Sequence, residues 1–247
     1  MSVPGANVSF PTTRWSLVLR ARSAEDPAAA VALEELCRLY WYPIYAFARR
    51  AGHDPENAAD VTQEFFARLL GQGLIDRANP SKGRLRSFLL GCFKRFLSEK
   101  SRRRIRQKRG GGREIVSLDQ AQAEAWFGAE PAQEAAPEMA FDRHWANALL
   151  AQAFTELERE SLQRGRGEQF QRLKDFLAWD APDISVADAA RDLRLSPGAV
   201  RLAIHRLRLA FRRKLQEQVA HTVASPDEVH EEMRYLLDVL NIAGPVP

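Results

Sequence analysis

The sequence predicts an all-α protein of two small helical domains joined by an acidic flexible linker. Three observations carry that expectation. Apolar residues recur at spacings of three and four along most of the chain, no alternating strand pattern extends beyond short fragments, and charge falls in blocks. From Lys94 to Arg109 there are nine Lys or Arg and a single acid, Glu99, whereas Glu114 to Asp142 holds seven acids and no Lys or Arg.

Taken in order, residues 1–27 form an extension, and the first domain spans 28–109. Its opening helix runs from about Ala28 to Ala51, with Leu33, Leu36, Tyr40, Ile44 and Phe47 in register. Pro43 is expected to interrupt or kink it, because proline removes a mid-helix hydrogen bond. Asp54 and Pro55 spell a second start, and Ala58, Val61, Phe65 and Leu69 turn inward until Gly71. A loop between Gly71 and Gly83 holds Asn79, Pro80, Ser81 and Lys82, and is longer than packed helices need. The third helix begins near Leu85 and presents Leu85, Phe88, Leu89, Cys92, Phe93 and Phe96 on its apolar side. Its polar side is almost wholly cationic, and it runs into RRRIRQKR at 102–109.

Residues 110–142 read as linker: Gly110 to Gly112, then an acidic, alanine-rich stretch broken by Pro131 and Pro137, without a long amphipathic pattern. The second domain, 143–217, resumes with Trp145, Leu149, Ala153 and Leu157, and continues after Gly165 and Gly167 with Phe170, Leu173 and Leu177. Two capped helices follow. Ser185, with Asp188 three residues on, starts one; Ser196, with Pro197 at the first helical position, starts the other. Along the latter, Val200, Ile204, Leu207 and Phe211 form one buried stripe, leaving Arg201, His205, Arg206, Arg208, Arg212 and Arg213 outside it. A helix of ~15 residues is about 22 Å long, enough to enter a major groove with its first turns and leave its last turn over phosphates. This helix-turn-helix is read as a DNA reader. The extension 218–247 carries one more capped amphipathic helix, from Ser225 and Pro226 through Val229, Met233, Leu236, Leu237 and Leu240.

Composition narrows the function classes. With 247 residues and 45% apolar side chains the chain can bury real cores, and its formal charge of +4 matters less than the segregation of that charge. Cys37 and Cys92 are too few for a disulfide framework or a four-ligand metal site, which fits a reducing cytoplasm. No stretch approaches the ~18 apolar residues of a membrane span, and the start lacks a secretory pattern. The histidines His53, His144, His205, His221 and His230 show no metal-ligand spacing, no phosphate-cradling glycine loop opens a helix, and no nucleophile–base pair stands out. Neither a catalytic residue nor a cofactor is expected.

With two helical domains, an acidic connection and a terminal helix-turn-helix, the sequence resembles bacterial RNA polymerase sigma factors of the sigma-70 family, extracytoplasmic-function type. The strongest match is AADVTQEFF at 58–66, similar to the family's core-binding motif. Asp60, Gln63 and Glu64 lie at helical spacings on one face, better suited to a protein partner than to phosphate. The resemblance implies that this face, with Phe66 at its edge, docks on the clamp helices of the polymerase largest subunit.

The same resemblance assigns recognition and melting of the minus-10 element to the loop and third helix: Asn79, Ser81, Lys82, Arg84, Arg86, Phe88, Lys94, Arg95 and Lys100. Cations there would hold phosphates while a neighbouring pocket receives an unstacked base. Arg102, Arg103 and Arg104 are expected to add nonspecific phosphate contacts. The acids Glu114, Asp119, Glu124, Glu130, Glu134 and Glu138 suit a linker that threads the polymerase cleft as a mimic of RNA. Ser196, Arg201, His205 and Arg206 occupy positions implied to read the minus-35 element. Arg194 stands where the family's turn usually has glycine, Leu202 and Ala203 replace commonly polar residues, and 159–182 is longer than the usual connection. Implied partners are core RNA polymerase, promoter DNA and, as a further option, an anti-sigma or other regulatory protein, with no membrane insertion. The alternative is a one-component helix-turn-helix regulator that never binds polymerase.

Overall fold

The computed structural model describes residues 27–71, 79, 83–106, 120–128, 136–177 and 184–241. Among them are nine α-helices and one short 3-10 turn, and no strand. In chain order the helices are α1 (Pro27–Arg50), α2 (Pro55–Gly71), α3 (Leu85–Arg106), α4 (Gln120–Gly128), α5 (Pro137–Gln163), α6 (Gly167–Leu173), α7 (Val186–Asp192), α8 (Pro197–Ala220) and α9 (Pro226–Asn241); the 3-10 turn is Lys174–Leu177. The chain divides into two compact units, Met1–Asp142 with Ala220–Glu228, and Arg143–Val219 with Val229–Pro247.

The core of the first unit is built where α1, α2 and α3 turn their apolar stripes toward one another. Leu36, Leu39, Tyr40 and Ile44, then Ala58, Phe65 and Leu69, then Leu85, Leu89 and Phe93 are all essentially inaccessible. Phe93 is the hub of an aromatic cluster, its ring centroid 5.1 Å from that of Phe65, 5.7 Å from Phe47 and 6.2 Å from Phe96. Rings at these separations gain edge-to-face and offset-stacked attraction beyond simple burial. Asp54 caps α2 by accepting from the Asn57 amide at 2.9 Å, and these hydrogen bonds hold its carboxyl below the usual range.

One expectation is narrowed and one corrected in this unit. Pro43 lies inside the first helix, which runs on to Arg50, so of the two expected effects it does not interrupt the helix. The one backbone bond that proline forfeits is outweighed by burial on either side, where Trp41, Ile44 and Tyr45 are 5%, 0% and 0% exposed. The presumed linker is also not without structure, since residues 120–128 form α4, which packs against α2. Its Glu124 accepts from Arg49 Nε at 2.7 Å and from the Tyr45 hydroxyl. Burial, and then that hydrogen bond, pushes the Tyr45 phenol up. Phe127 lies under the Arg49 and Arg50 guanidinium groups, 4.6 and 4.9 Å from its centroid, and Trp126 meets Tyr42 edge-on at 5.2 Å. A nine-residue helix held by one carboxylate and two aromatics leaves no periodic trace. Helix α5 likewise begins at Pro137, inside the stretch read as linker, because Ala140 and Phe141 are buried at 2% and 0%.

In the second unit, Leu173, Phe176, Ala189, Ala190, Val200 and Ile204 make one core beneath α7 and α8. The caps are as the sequence predicts: Ser185 Oγ accepts from the Asp188 amide at 3.1 Å, and Ser196 Oγ from the Ala199 amide at 3.2 Å. The hydrogen bond from Ser185 keeps the Asp188 carboxyl low. Farther along, Gln218 donates to Glu156 at 2.6 Å and Lys214 lies 3.4 Å from Glu160, fastening α8 to α5. In α9, Met233 and Leu236 are buried, whereas Leu237, expected inside, is 36% exposed.

The turn between α7 and α8 explains why a missing glycine matters. The Leu195 amide donates to the Ala190 carbonyl at 2.9 Å and the Arg194 amide to Arg191 at 3.2 Å, the paired bonds of a Schellman cap. Arg194 therefore sits at φ +53°, in the left-handed region; the same caps after α1 and α5 use Gly52 and Gly165. A side chain there costs about 1–2 kcal/mol, partly offset by glycine's extra freedom in the unfolded chain. Arg194→Gly is accordingly expected to stabilise the second unit by about 0.5 to 1 kcal/mol. Urea unfolding followed by circular dichroism measures it, and a destabilised variant would refute the strain.

Candidate protein-docking and nucleic-acid interfaces

The first candidate surface is the outer face of α2. Burial of Val61 and Phe65 at 3% and 0% rolls the helix so that Asp60 and Glu64 are exposed and Gln63 is half-buried. Glu64 is ion-paired with Lys100 of α3, and Arg68 lies 2.9 Å from Glu99 of the same helix. These pairs brace the face from behind. Phe66 does not belong to it: at 3% exposure and 5.4 Å from the Phe65 ring, it is a core residue. Two adjacent phenylalanines in a helix point about 100° apart, and here α2 is enclosed widely enough to bury both.

The second surface is α3, where the expected DNA cations separate into three groups. Arg95 and Arg102 are exposed. Lys94 is exposed but lies 2.5 Å from Glu138 at the start of α5, and Lys100 is held by Glu64. The hydrogen bond from Lys94 holds the Glu138 carboxyl below the usual range. Arg86 is 8% exposed, with Nη1 3.0 Å from Asp142. That placement corrects its reading as a phosphate contact, because a guanidinium flanked by Leu85 and Leu89 is carried into the interior and needs a carboxylate there. Nothing local in the sequence announces a partner fifty-six positions away.

Arg84 and Phe88 are half-buried and Asn79 is exposed. Ser81 and Lys82 lie outside the described residues, as do the side chains of Arg103 and Arg104. Of the acids read as an RNA mimic, Glu124 and Glu138 are engaged by Arg49 and Lys94 of the first unit.

The third surface is α8. Val200 and Ile204 anchor it at 0% and 7% exposure, so Arg201 and His205, one turn apart, share an open face that Arg212 continues. Arg208 follows them in register, its Nε donating to the Phe176 carbonyl at 3.1 Å. Ser196 is exposed at the helix start, engaged as the cap. Arg206 is exposed too, but it lines a groove of about 440 Å³ with Arg164, Arg166, Phe170, Leu195 and Leu202. The sequence reading missed this groove, although the apolar Leu202 at a commonly polar position was its signal.

Among the described residues no group of three or more His, Cys, Asp or Glu could hold a metal, and no helix is long and apolar enough to cross a membrane. Burial, then the nearby Glu34 charge, pushes the Cys37 thiol up to about 11, which makes it a poor nucleophile. Comparison with known proteins adds one finding. Residues 38–109 match the family model of Sigma-70 region 2, covering most of α1 and all of α2 and α3. The match shows that this segment is similar to region 2 of sigma-70 proteins. No curated protein and no solved structure matches the chain.

Proposed function

We propose that this chain is a sigma factor of the extracytoplasmic-function type, which binds core RNA polymerase and directs it to promoters carrying minus-35 and minus-10 elements. The observation that carries the reading is the region 2 match over 38–109 in a chain whose second unit holds two consecutive capped helices, α7 and α8, with Arg201 and His205 exposed on the latter. Residues 28–109 then serve polymerase binding and minus-10 recognition, and 143–217 serve minus-35 recognition. Asp60, Gln63 and Glu64 form the docking face. Asn79, Ser81, Lys82, Arg84, Phe88, Lys94, Arg95 and Lys100 serve the minus-10 element, and Arg102, Arg103 and Arg104 the adjoining phosphates.

Ser196, Arg201, His205 and Arg206 are assigned to the minus-35 element. An arginine set bidentately on guanine contributes about 1–3 kcal/mol of discrimination. The factor acts in the cytoplasm, catalyses nothing itself and uses no cofactor; an anti-sigma protein is a partner consistent with the type. A one-component regulator lacks a reason to carry a region 2 sequence, so the match weighs against it.

Reconstitution with core polymerase on a promoter library tests the proposal: transcription from a defined two-element motif is expected, and failure to associate with core polymerase would leave only a DNA-binding protein. In the same assay the Arg201→Ala, His205→Ala double variant is expected to lose preference at upstream positions while keeping the minus-10 preference. An unaltered upstream preference would remove those two residues from the interface.

A further inference from the structure

Helix α3 is covered by parts of the chain that lie outside the region 2 match. At the start of α5, Phe141 is fully buried with its ring stacked 6.4 Å from that of Tyr40, which seats residues 136–142 on the first unit. Glu138 and Asp142 are one helical turn apart, so both carboxylates leave α5 on the same side. They meet Lys94 at 2.5 Å and Arg86 at 3.0 Å, two cations of α3, in antiparallel order. From a second direction, the Leu85 amide at the first turn of α3 donates to the Thr222 carbonyl at 3.3 Å, and Thr222 and Val223 are each 1% exposed.

We propose that residues 136–142 are an internal competitor of nucleic acid: Phe141 and Asp142 anchor the segment, and Glu138 occupies the Lys94 ammonium that a DNA phosphate would otherwise take. The inference rests on the reading of α3 as a DNA-binding helix and adds that the free protein holds this helix in a masked state. The two ion pairs differ in kind. Arg86–Asp142 has side chains 9% and 13% exposed and acts as the hinge pin; Lys94–Glu138, at 46% and 45%, is open to exchange with a phosphate. An exposed pair contributes little to stability, so a phosphate can displace it at small cost. Binding of nucleic acid by the isolated factor is thereby weakened until a larger partner contributes the missing free energy.

The test measures binding of the full chain to labelled single-stranded oligo-dT by fluorescence anisotropy at low salt. Glu138→Gln is expected to bind about three- to fivefold more tightly than the unaltered chain. Glu56→Gln, which changes the formal charge equally on the exposed first turn of α2, is the control and is expected to show a smaller gain. Lys94→Gln should cost clearly more affinity in the Glu138→Gln background than in the otherwise unaltered chain. The proposal is overturned if Glu138→Gln gains no more than the control, or if Lys94→Gln costs the same in both backgrounds. Should Lys94→Gln and Arg95→Gln both leave affinity unchanged in the Glu138→Gln background, the reading of α3 as a DNA-binding helix fails instead.

Discussion

Phe93→Ala is expected to remove about 3 to 5 kcal/mol from the stability of the first unit. The ring is 0% exposed and touches Phe47, Phe65 and Phe96, which come from all three helices of that core. Removing it strips transfer free energy and leaves a void that three separate helices would have to move to fill. Small domains are stable by only about 5–15 kcal/mol, so the variant should be partly unfolded near body temperature. Urea unfolding at the far-ultraviolet helix signal gives the number, and Phe93→Leu, which keeps most of the volume, should cost far less. A loss below about 1 kcal/mol would mean that the cluster collapses freely, contrary to close packing.

Reversing charge at the proposed docking face, with Asp60→Lys and Glu64→Lys together, should weaken binding to core polymerase about a hundredfold. Like charges brought together across an interface cost several kcal/mol, and ~2.7 kcal/mol corresponds to that factor. The fold should tolerate the change. Asp60 is exposed, and the Glu64 pair with Lys100, whose side chains are 54% and 37% exposed, contributes less than about 1 kcal/mol. Titration of labelled protein with core enzyme reads the affinity, and circular dichroism checks that the helices persist. Equal affinity for both proteins would move the docking surface elsewhere.

Much of the fold was written in short-range patterns. The start of α2 follows from Asp54 and Pro55, those of α7 and α8 from Ser185 and Ser196, and the inward stripe of α3 from its leucines and phenylalanines. Such features are local, because a cap spans three residues and a stripe repeats every three or four. What escaped was long-range. The anchoring of α4 depends on Glu124 meeting Arg49 and Tyr45, more than seventy positions earlier, and no composition rule separates that carboxylate from its solvated neighbours. The misplaced site residues share this origin. Arg86 and Phe66 have the right chemistry and near-correct helical phase, and only the packing of other elements decides that they point inward. Pro43 does not interrupt its helix for the converse reason: tertiary burial outweighed a local penalty.

The buried Arg86–Asp142 pair has a practical corollary for anyone who dissects the protein. A fragment ending at residue 109, where the region 2 match stops, would retain the guanidinium and discard its carboxylate. Breaking a buried pair by deleting one member costs about 3–5 kcal/mol, which could exhaust the margin of so small a piece. A front-half fragment that keeps this pair must therefore reach Asp142, some thirty residues beyond the end of the match.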